Sequence, residues 1–437
     1  MHVELAFGKT GLAVELPAGP EYLLLEAKSA APLADEGAEL REAVANPIGC
    51  PPLAELARGK RTAAISVCDI TRPAPNRRTL PVVLEVLEGA GIPAAGITIC
   101  IATGLHRIAT PDELDEILGP EIARKYRIYN HDAKVFADHE PLGETRSGIP
   151  VYVAREFVNA DLRITLGFIE PHLMLGYSGG RKLIAPGLAA QETIKVIHSP
   201  RFMREPRSTE GSIADNPLHK ELQEIARMAG HSFMLDVALT RKREIAGVFA
   251  GHPEAAHAAG VEFVSQVMLE RIPNHVDAAI TTCAGYPLDL TLYQAVKGVT
   301  AASHIVRPGG RILICAECAE GPGAPEFREM IVRHPTAAGF LEAVEKAPVT
   351  VDQWQLEKLA LVLRDKEVVF FTPGVAKEYR TNLWGPVFDN FDEALGATLS
   401  NLPAKPRVAV VPEGPYVLAR VEEVPSGAPQ SSDPVAA

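Results

Sequence analysis

Residues able to carry chemistry are densest in Gly167-Phe-Ile-Glu-Pro-His172-Leu-Met-Leu-Gly-Tyr-Ser178-Gly-Gly-Arg181-Lys182-Leu-Ile-Ala-Pro-Gly187. Glycines that let a ligand approach the backbone stand there beside a hydroxyl, a guanidinium, an amine and an imidazole. Such a set suits a phosphate-bearing ligand. The amides around Ser178, Gly179 and Gly180, with the Ser178 hydroxyl, would cradle the anion while Arg181 and Lys182 neutralise it. The GxxxxGK[ST] order of a Walker A loop is absent. The competing reading is a surface turn with two solvated cations.

Other candidates lie on either side of this run. His198 ends the amphipathic stretch Gln191-Glu-Thr-Ile-Lys-Val-Ile-His198, and a neutral imidazole there could ligate nickel, zinc or copper, or could simply cap the stretch or enter the core. No second His at helical spacing accompanies it, so the residues alone favour a phosphorylated cofactor over a bare metal site. His106, beside Arg107, and His172, after Glu170-Pro171, both read as strand-end loop residues that could hold a substrate between two imidazoles. A pair of this kind can exchange acid and base roles near neutral pH. In Asp69-Ile-Thr-Arg72-Pro73 the guanidinium could clasp a carboxylate in bidentate fashion, or Asp69 and Arg72 could pair to close a turn. Tyr293 and Lys297 stand at i and i+4 on an expected helix start, with Gln294 between them, presenting a phenol and an ammonium on one face.

These groups need a scaffold, and short aliphatic runs alternating with helix-length segments supply one of the α/β kind. Thr62 to Cys68 reads as a strand, Leu80 to Gly89 as a helix and Gly96 to Ala102 as the next strand. In open parallel sheets ligands sit beyond the carboxyl ends of strands, where Asp69–Pro73 and Thr103–Arg107 would fall. A helical stretch from Gly251 to Arg271 followed by Ile272-Pro-Asn-His-Val marks a domain boundary. The expected organisation is two α/β domains with the active site in the cleft between them. Residues 1–270 form the first, with about 405–425 free to return to it, 274–400 form the second, and 426–437 form a mobile tail.

With 437 residues, one hydrophobic core is too few, and 47% hydrophobic residues suffice for two. A net charge of −12 with no basic run argues against nucleic-acid and anionic-membrane partners. No apolar run approaches the roughly 20 residues of a membrane span, and Met1-His-Val-Glu-Leu lacks the flank of a signal peptide, so a cytoplasmic location is expected. The six scattered cysteines suit free thiols, and Cys315-x-x-Cys318 reads as a strand end rather than a metal or redox pair.

Taken in order, Asp69-x-Thr-Arg-Pro, Thr103-Gly-x-His-Arg, Glu170-Pro-His, Ser178-Gly-Gly-Arg-Lys, Pro-Gly187, Glu192-Thr-Ile, His198, Tyr293-Gln-x-x-Lys297 and Asp352-Gln-Trp354 resemble the lactate racemase family of nickel-pincer enzymes. The resemblance spans roughly residues 65 to 355. It implies a nicotinate-derived mononucleotide that holds nickel through two sulfurs and a ring carbon and is joined to Lys182 as a thioamide, with His198 as the protein ligand to nickel. It further implies His106 and His172 as the alternating acid/base pair, and Arg72, Tyr293, Gln294 and Lys297 on the substrate side. Asp69, Ser178, Gly179, Gly180 and Trp354 would support or line the cofactor. The implied reaction moves the C2 hydride of a 2-hydroxyacid to the pincer carbon and back through a planar 2-oxoacid. Partners implied are a small 2-hydroxyacid and the proteins that make and load the cofactor. Ile70, Leu105 and Ile108 depart from the pattern on the substrate side and leave the choice among lactate, malate, aryl-lactates and sugar acids open. A rival, an NAD-dependent 2-hydroxyacid dehydrogenase, needs a Gly-rich turn after a strand, whereas Gly89-Ala-Gly91 follows a helix. A non-catalytic homologue that binds a carboxylate or nucleotide is the other alternative.

Overall fold

The computed structural model describes residues 1–28 and 30–422, so the tail expected at 426–437 lies outside the described residues. Two six-stranded sheets organise the chain. The first runs in the order Ile245–Gly251, Phe233–Leu239, Leu162–Phe168, Ala63–Cys68, Ile97–Ala102, Arg127–Asn130, and only its Ile245–Gly251 edge is antiparallel. The second is parallel throughout, in the order Val387–Phe388, Glu367–Phe371, Val306–Cys315, Val276–Thr282, Arg407–Val411, Glu21–Leu24.

Ala63–Cys68 is buried at every position, as a central parallel strand covered on both faces should be. On one face of this sheet Ile65 and Val67 pack with Leu80, Val83 and Leu87 of the helix Asn76–Gly89. On the other, Ala64 and Cys100 pack with Phe157, Ile184, Ile194 and Leu222. That helix starts earlier than the expected Leu80, because Pro75 at its N-cap has its φ preset and costs no helical hydrogen bond. Gly89 ends it, so Gly89-Ala-Gly91 follows a helix as the sequence indicated.

Three connections differ from a simple cut near residue 270. The helix expected from Gly251 to Arg271 is Pro253–Met268, and Leu269–Ile272 becomes a strand paired in parallel with Leu418–Val421. Arg407–Val411 joins the second sheet, while Leu418, later in the same segment, packs with Ile169, Tyr177 and Met234 of the first half. Glu21–Leu24 pairs with it there, and Val3, Leu5, Val14 and Leu16 pack against Ala278, Ile280 and Val410. The N-terminal segment thus completes the second sheet, because its alternating apolar residues find their partners there. All six cysteines are free, and Cys315 ends a strand as expected. Among the described residues no helix is long and apolar enough to cross a membrane.

Candidate active site

Strand ends of the first sheet converge on the helix Leu292–Ser303 of the second half across a cavity of about 670 Å³. Asp69 and Arg72 follow Ala63–Cys68, His106 follows Ile97–Ala102, and His172 follows Leu162–Phe168. Of the catalytic, cofactor and substrate residues that the resemblance implies, all but Gly180 line this cavity, whereas Arg181 does not. From the second half come Tyr293, Gln294 and Lys297, the helix being capped by the Thr291 side chain, which accepts from the Gln294 amide at 3.4 Å. Trp354, on the helix Gln353–Val362, packs with the apolar cluster of the first half and donates Nε1–H to the Tyr293 hydroxyl at 3.0 Å. This contact ties the two halves together at the site.

The two catalytic candidates both engage the protein through Nδ1 but in opposite tautomers. His106 turns Nδ1 to Asp69 Oδ2 at 2.7 Å, and Thr71 Oγ1 donates to Asp69 Oδ1 at 2.7 Å. Burial pushes the Asp69 carboxyl up, but the His106 contact, Arg72 and Thr71 outweigh it and hold the group below its ordinary value. The carboxylate therefore accepts from Nδ1–H and leaves the His106 Nε2 lone pair free to act as a base. His172 Nδ1 instead accepts from the Met174 and Leu175 amides, both at 3.3 Å, so its neutral ring carries its proton on Nε2. Burial, and then the charges of Lys182, Lys297 and Arg72, hold its pKa well below the usual 6.5.

Three cations, Arg72, Lys182 and Lys297, line the cavity beside the carboxyl groups of Asp69, Glu170 and Asp352. Arg72 reaches only Thr71, at 3.2 Å to both its carbonyl and its hydroxyl, and forms no ion pair among the described residues. The turn-closing Asp69–Arg72 pair is thus absent, since Asp69 is engaged by His106. Lys182 and Lys297 have no hydrogen-bond partner for their ammonium groups among the described residues. Burial, reinforced by Arg72, lowers Lys182 to about 7 and Lys297 to about 8, with Glu170 the acid that offsets both. None of the three is in an ion pair among the described residues, and Lys182 is a partly unprotonated amine at neutral pH, able to act as a nucleophile.

The glycine-rich loop works differently from the anion cradle suggested by its composition. Ser178 Oγ donates to the Phe168 carbonyl and accepts from the Glu170 amide, both at 3.0 Å, which uses up the hydroxyl. Arg181 turns away from the cavity: it is buried, and it donates to the carbonyls of Leu175 and Tyr177 and to His257 Nε2 at 2.6 Å. It braces the loop that presents Lys182. The Gly180 amide donates to the buried Asp236 Oδ2 at 2.7 Å. Gly179 has φ +88°, and a Cβ there would lie 2.3 Å from Asp236 Oδ2. Gly179→Ala is therefore expected to cost about 1–3 kcal/mol, the usual range for a strained backbone. An unchanged urea midpoint for that variant would contradict this role.

His198 caps the helix Gln191–Ile197 and directs Nδ1 to the Ile194 carbonyl at 2.8 Å, leaving the Nε2 lone pair for a ligand. Burial lowers it to about 4, so the ring stays neutral, and the Trp354 ring lies 4.5 Å away, centroid to centroid. Among the described residues no group of three or more His, Cys, Asp or Glu could hold a metal ion. The donors present fit a metal that takes one imidazole from the protein and its remaining ligands from a cofactor.

Three lining residues had no role assigned from the sequence. Glu170 and Asp352 appeared only as members of motifs, and Cys68 read as the end of a strand. Burial raises Asp352 to about 6 and the Cys68 thiol to about 12. A strand-end position was the only signal available for Cys68. Of the three departures from the family pattern, Leu105 lines the main cavity and Ile70 an adjoining one of about 400 Å³, whereas Ile108 is half-exposed and lines neither.

Together the two α/β units and the cleft between them, lined by cations and imidazoles, define a two-domain α/β enzyme architecture. Family models for the lactate racemase N-terminal domain and the lactate racemase C-terminal domain match residues 7–211 and 272–419. The chain belongs to the lactate racemase family, whose members are isomerases. It is 33% identical over 424 residues to the lactate racemase of Thermoanaerobacterium thermosaccharolyticum, covering 96% of this chain and 99% of that protein. Against the lactate racemase of Lactiplantibacillus plantarum it is 35% identical over 379 residues, covering 86% of this chain and 89% of the relative. Its fold superposes on the lactate racemase apoprotein from T. thermosaccharolyticum with a TM-score of 0.89 at 32% identity, over 96% of this chain and 100% of that one. A Thermotoga maritima protein shares the fold, with a TM-score of 0.66 at 17% identity, over 90% of this chain and 100% of that one.

Proposed function

We propose that this protein interconverts the two configurations at C2 of a 2-hydroxyacid, lactate first among them, using a nickel-pincer nucleotide attached to Lys182. The observation that carries the reading is the half-buried Lys182, whose amine has no partner among the described residues and faces the same cavity as the free Nε2 of His198 and the two imidazoles. When bound, the nucleotide would supply a hydride acceptor and donor for C2. Lys182 would hold it covalently and His198 would ligate its nickel.

The remaining chemistry belongs to the chain. Arg72 and Lys297 bind the substrate carboxylate, and Tyr293 and Gln294 bound the same side of the cleft. His106 takes the hydroxyl proton at Nε2 while Asp69 stabilises the imidazolium that forms. His172 offers Nε2–H to an oxygen on its own side. Taking a proton there requires it to release the Met174 and Leu175 amides, and those bonds, at 3.3 Å, lie just beyond the usual hydrogen-bond range and are readily given up. Leu105, Leu173 and Trp354 keep water from a planar 2-oxoacid, strengthening its interaction with the cations.

Loading requires proteins that synthesise and insert the nucleotide, so the test uses chain matured in a host that has them. Given one enantiomer of lactate, the matured chain should drive it to equal amounts of both, followed by chiral chromatography. Retention of the starting enantiomer by a nickel-loaded sample would exclude lactate, and the same result across a panel of 2-hydroxyacids would exclude racemisation.

A further inference from the structure

Residues 204–216 connect the short helix Pro200–Met203 to the helix Pro217–Met228 and contain no helix or strand of their own. They belong to the first half, yet groups of the second half converge on them. Arg204 Nε donates to Glu357 Oε1 at 2.7 Å, and Lys358 Nζ donates to the Ser208 carbonyl at 2.8 Å, Glu357 and Lys358 both lying on the helix that bears Trp354. Arg420, on the strand Leu418–Val421, donates to the Glu210 carbonyl. The Glu210 side chain meets the helix Leu292–Ser303 directly. Its Oε1 lies 3.0 Å from the Thr300 hydroxyl, and its Oε2 accepts from His304 Nε2 at 2.7 Å and from Thr209 Oγ1 at 3.0 Å.

The same residues hold the loop of the first half that carries His172 and Lys182. The Gly211 amide donates to the Gly176 carbonyl at 3.0 Å, and Asn216 Nδ2 donates to the Met174 carbonyl at 2.9 Å. A Cβ on Gly176, whose φ is +76°, would lie 1.9 Å from the Ser212 carbonyl oxygen, so the two segments are in close contact. Met174 is one of the two residues whose amides hold His172 Nδ1. On the helix side, the Thr300 hydroxyl that meets Glu210 is also 3.0 Å from the Lys297 carbonyl, so the contact acts on the turn that presents Lys297. Glu210 and Lys297 line the same adjoining cavity. Burial pushes the Glu210 carboxyl up, but His304 and Arg420 outweigh it and hold the group at about 2, so it accepts as a carboxylate at neutral pH.

We propose that residues 204–216 form a strap between the halves, and that Glu210 is a positioning residue that sets Lys297 against Lys182 and His172. The inference rests on the reaction proposed above, in which Lys297 binds the substrate carboxylate. Glu210 acts through Thr300 and His304 rather than by touching the substrate. With both engaged, the helix keeps Lys297 in the cleft; with them released, the amine moves toward water.

Two readouts use full-length chain without cofactor and so do not depend on the reaction. Burial, reinforced by Arg72, lowers Lys297 from 10.5 to about 8, and labelling of this lysine by an amine-reactive ester, followed against pH, reports that burial. Glu210→Gln and Thr300→Val should move the midpoint up toward 10.5, whereas Thr300→Ser, which keeps the hydroxyl, should leave it in place. Thr300→Val changes no charge, so its shift is free of any effect of the lost carboxylate. Amide exchange in residues 292–304 should quicken about tenfold in the first two variants, the worth of one charge-assisted hydrogen bond, while the remote helix Asn76–Gly89 is unchanged. Equal acceleration in both segments would mark general destabilisation and overturn the proposal, as would a midpoint unmoved by Thr300→Val. In matured enzyme both variants should raise KM for lactate about tenfold with kcat little changed, because a carboxylate contact weakened in ground and transition states alike appears in KM. A fall in kcat at unchanged KM would deny Glu210 its positioning role. A matured wild-type chain that fails to racemise defeats the proposed reaction alone, and the labelling and exchange results then decide the strap.

Discussion

Replacing His106 with Ala is expected to lower racemisation by about 10²–10⁴-fold, the usual worth of a positioned general base, while leaving the nucleotide attached to Lys182. The expectation rests on the Asp69–His106 contact at 2.7 Å, which fixes the tautomer and turns Nε2 into the cavity. His106 is partly exposed at the mouth, so its removal opens no core cavity. Asp69→Asn should retain the imidazole yet lose much of the rate, because an amide stabilises an imidazolium poorly. The measurement is turnover of one lactate enantiomer by matured variant, beside its intact mass. A His106→Ala protein that carries the adduct and racemises at the wild-type rate would remove His106 from the mechanism. His172→Ala should be equally inactive with the adduct in place, since the account needs a proton carrier on each side of the cleft.

Lys182→Ala should have the largest effect of all: no adduct, no retained nickel and no racemisation. Arginine cannot substitute, because a guanidinium stays protonated and cannot act as a nucleophile. In the chain without cofactor, burial and Arg72 lower Lys182 from 10.5 to about 7. Labelling of this lysine by an amine-reactive ester should therefore rise through about pH 7, whereas exposed lysines respond several units higher. The stability linkage has the same origin. Between about 7 and 10.5 the unfolded chain binds a proton that the folded chain does not, so this residue makes stability rise with pH across that window, and its full burial cost is felt below about 7. Labelling of Lys182 that rises only near pH 10 would show the amine to be an ordinary solvated cation.

Much of this arrangement was legible in the residues. The aliphatic runs gave the α/β class because central strands such as Ala63–Cys68 are buried on both faces and need continuous apolar sequence, and the strand ends at Cys68, Ala102 and Phe168 then placed Asp69, His106 and His172 near one another. Side-chain direction was not legible. Arg181 and Lys182 are neighbours of similar charge, yet one turns inward to brace carbonyls and the other faces the cleft, a choice made by His257 and Asp236, which are remote in sequence. Ser178 misled for the same reason, its hydroxyl being claimed by Phe168 and Glu170. Long-range pairing was hidden as well. Glu21–Leu24 reads as an isolated short strand until Arg407–Val411 offers it an edge. Trp354 was recognised only within a motif, although its bond to Tyr293 and its contact with His198 join the two halves at the site.

The most direct test of the central claim is the intact mass of the matured chain, followed by peptide mapping and metal analysis. The account predicts a single adduct of one pyridinium mononucleotide on the peptide containing Lys182, with close to one nickel per chain that is lost in His198→Ala. A fully active preparation with unmodified Lys182, or with the adduct on another residue, would contradict it.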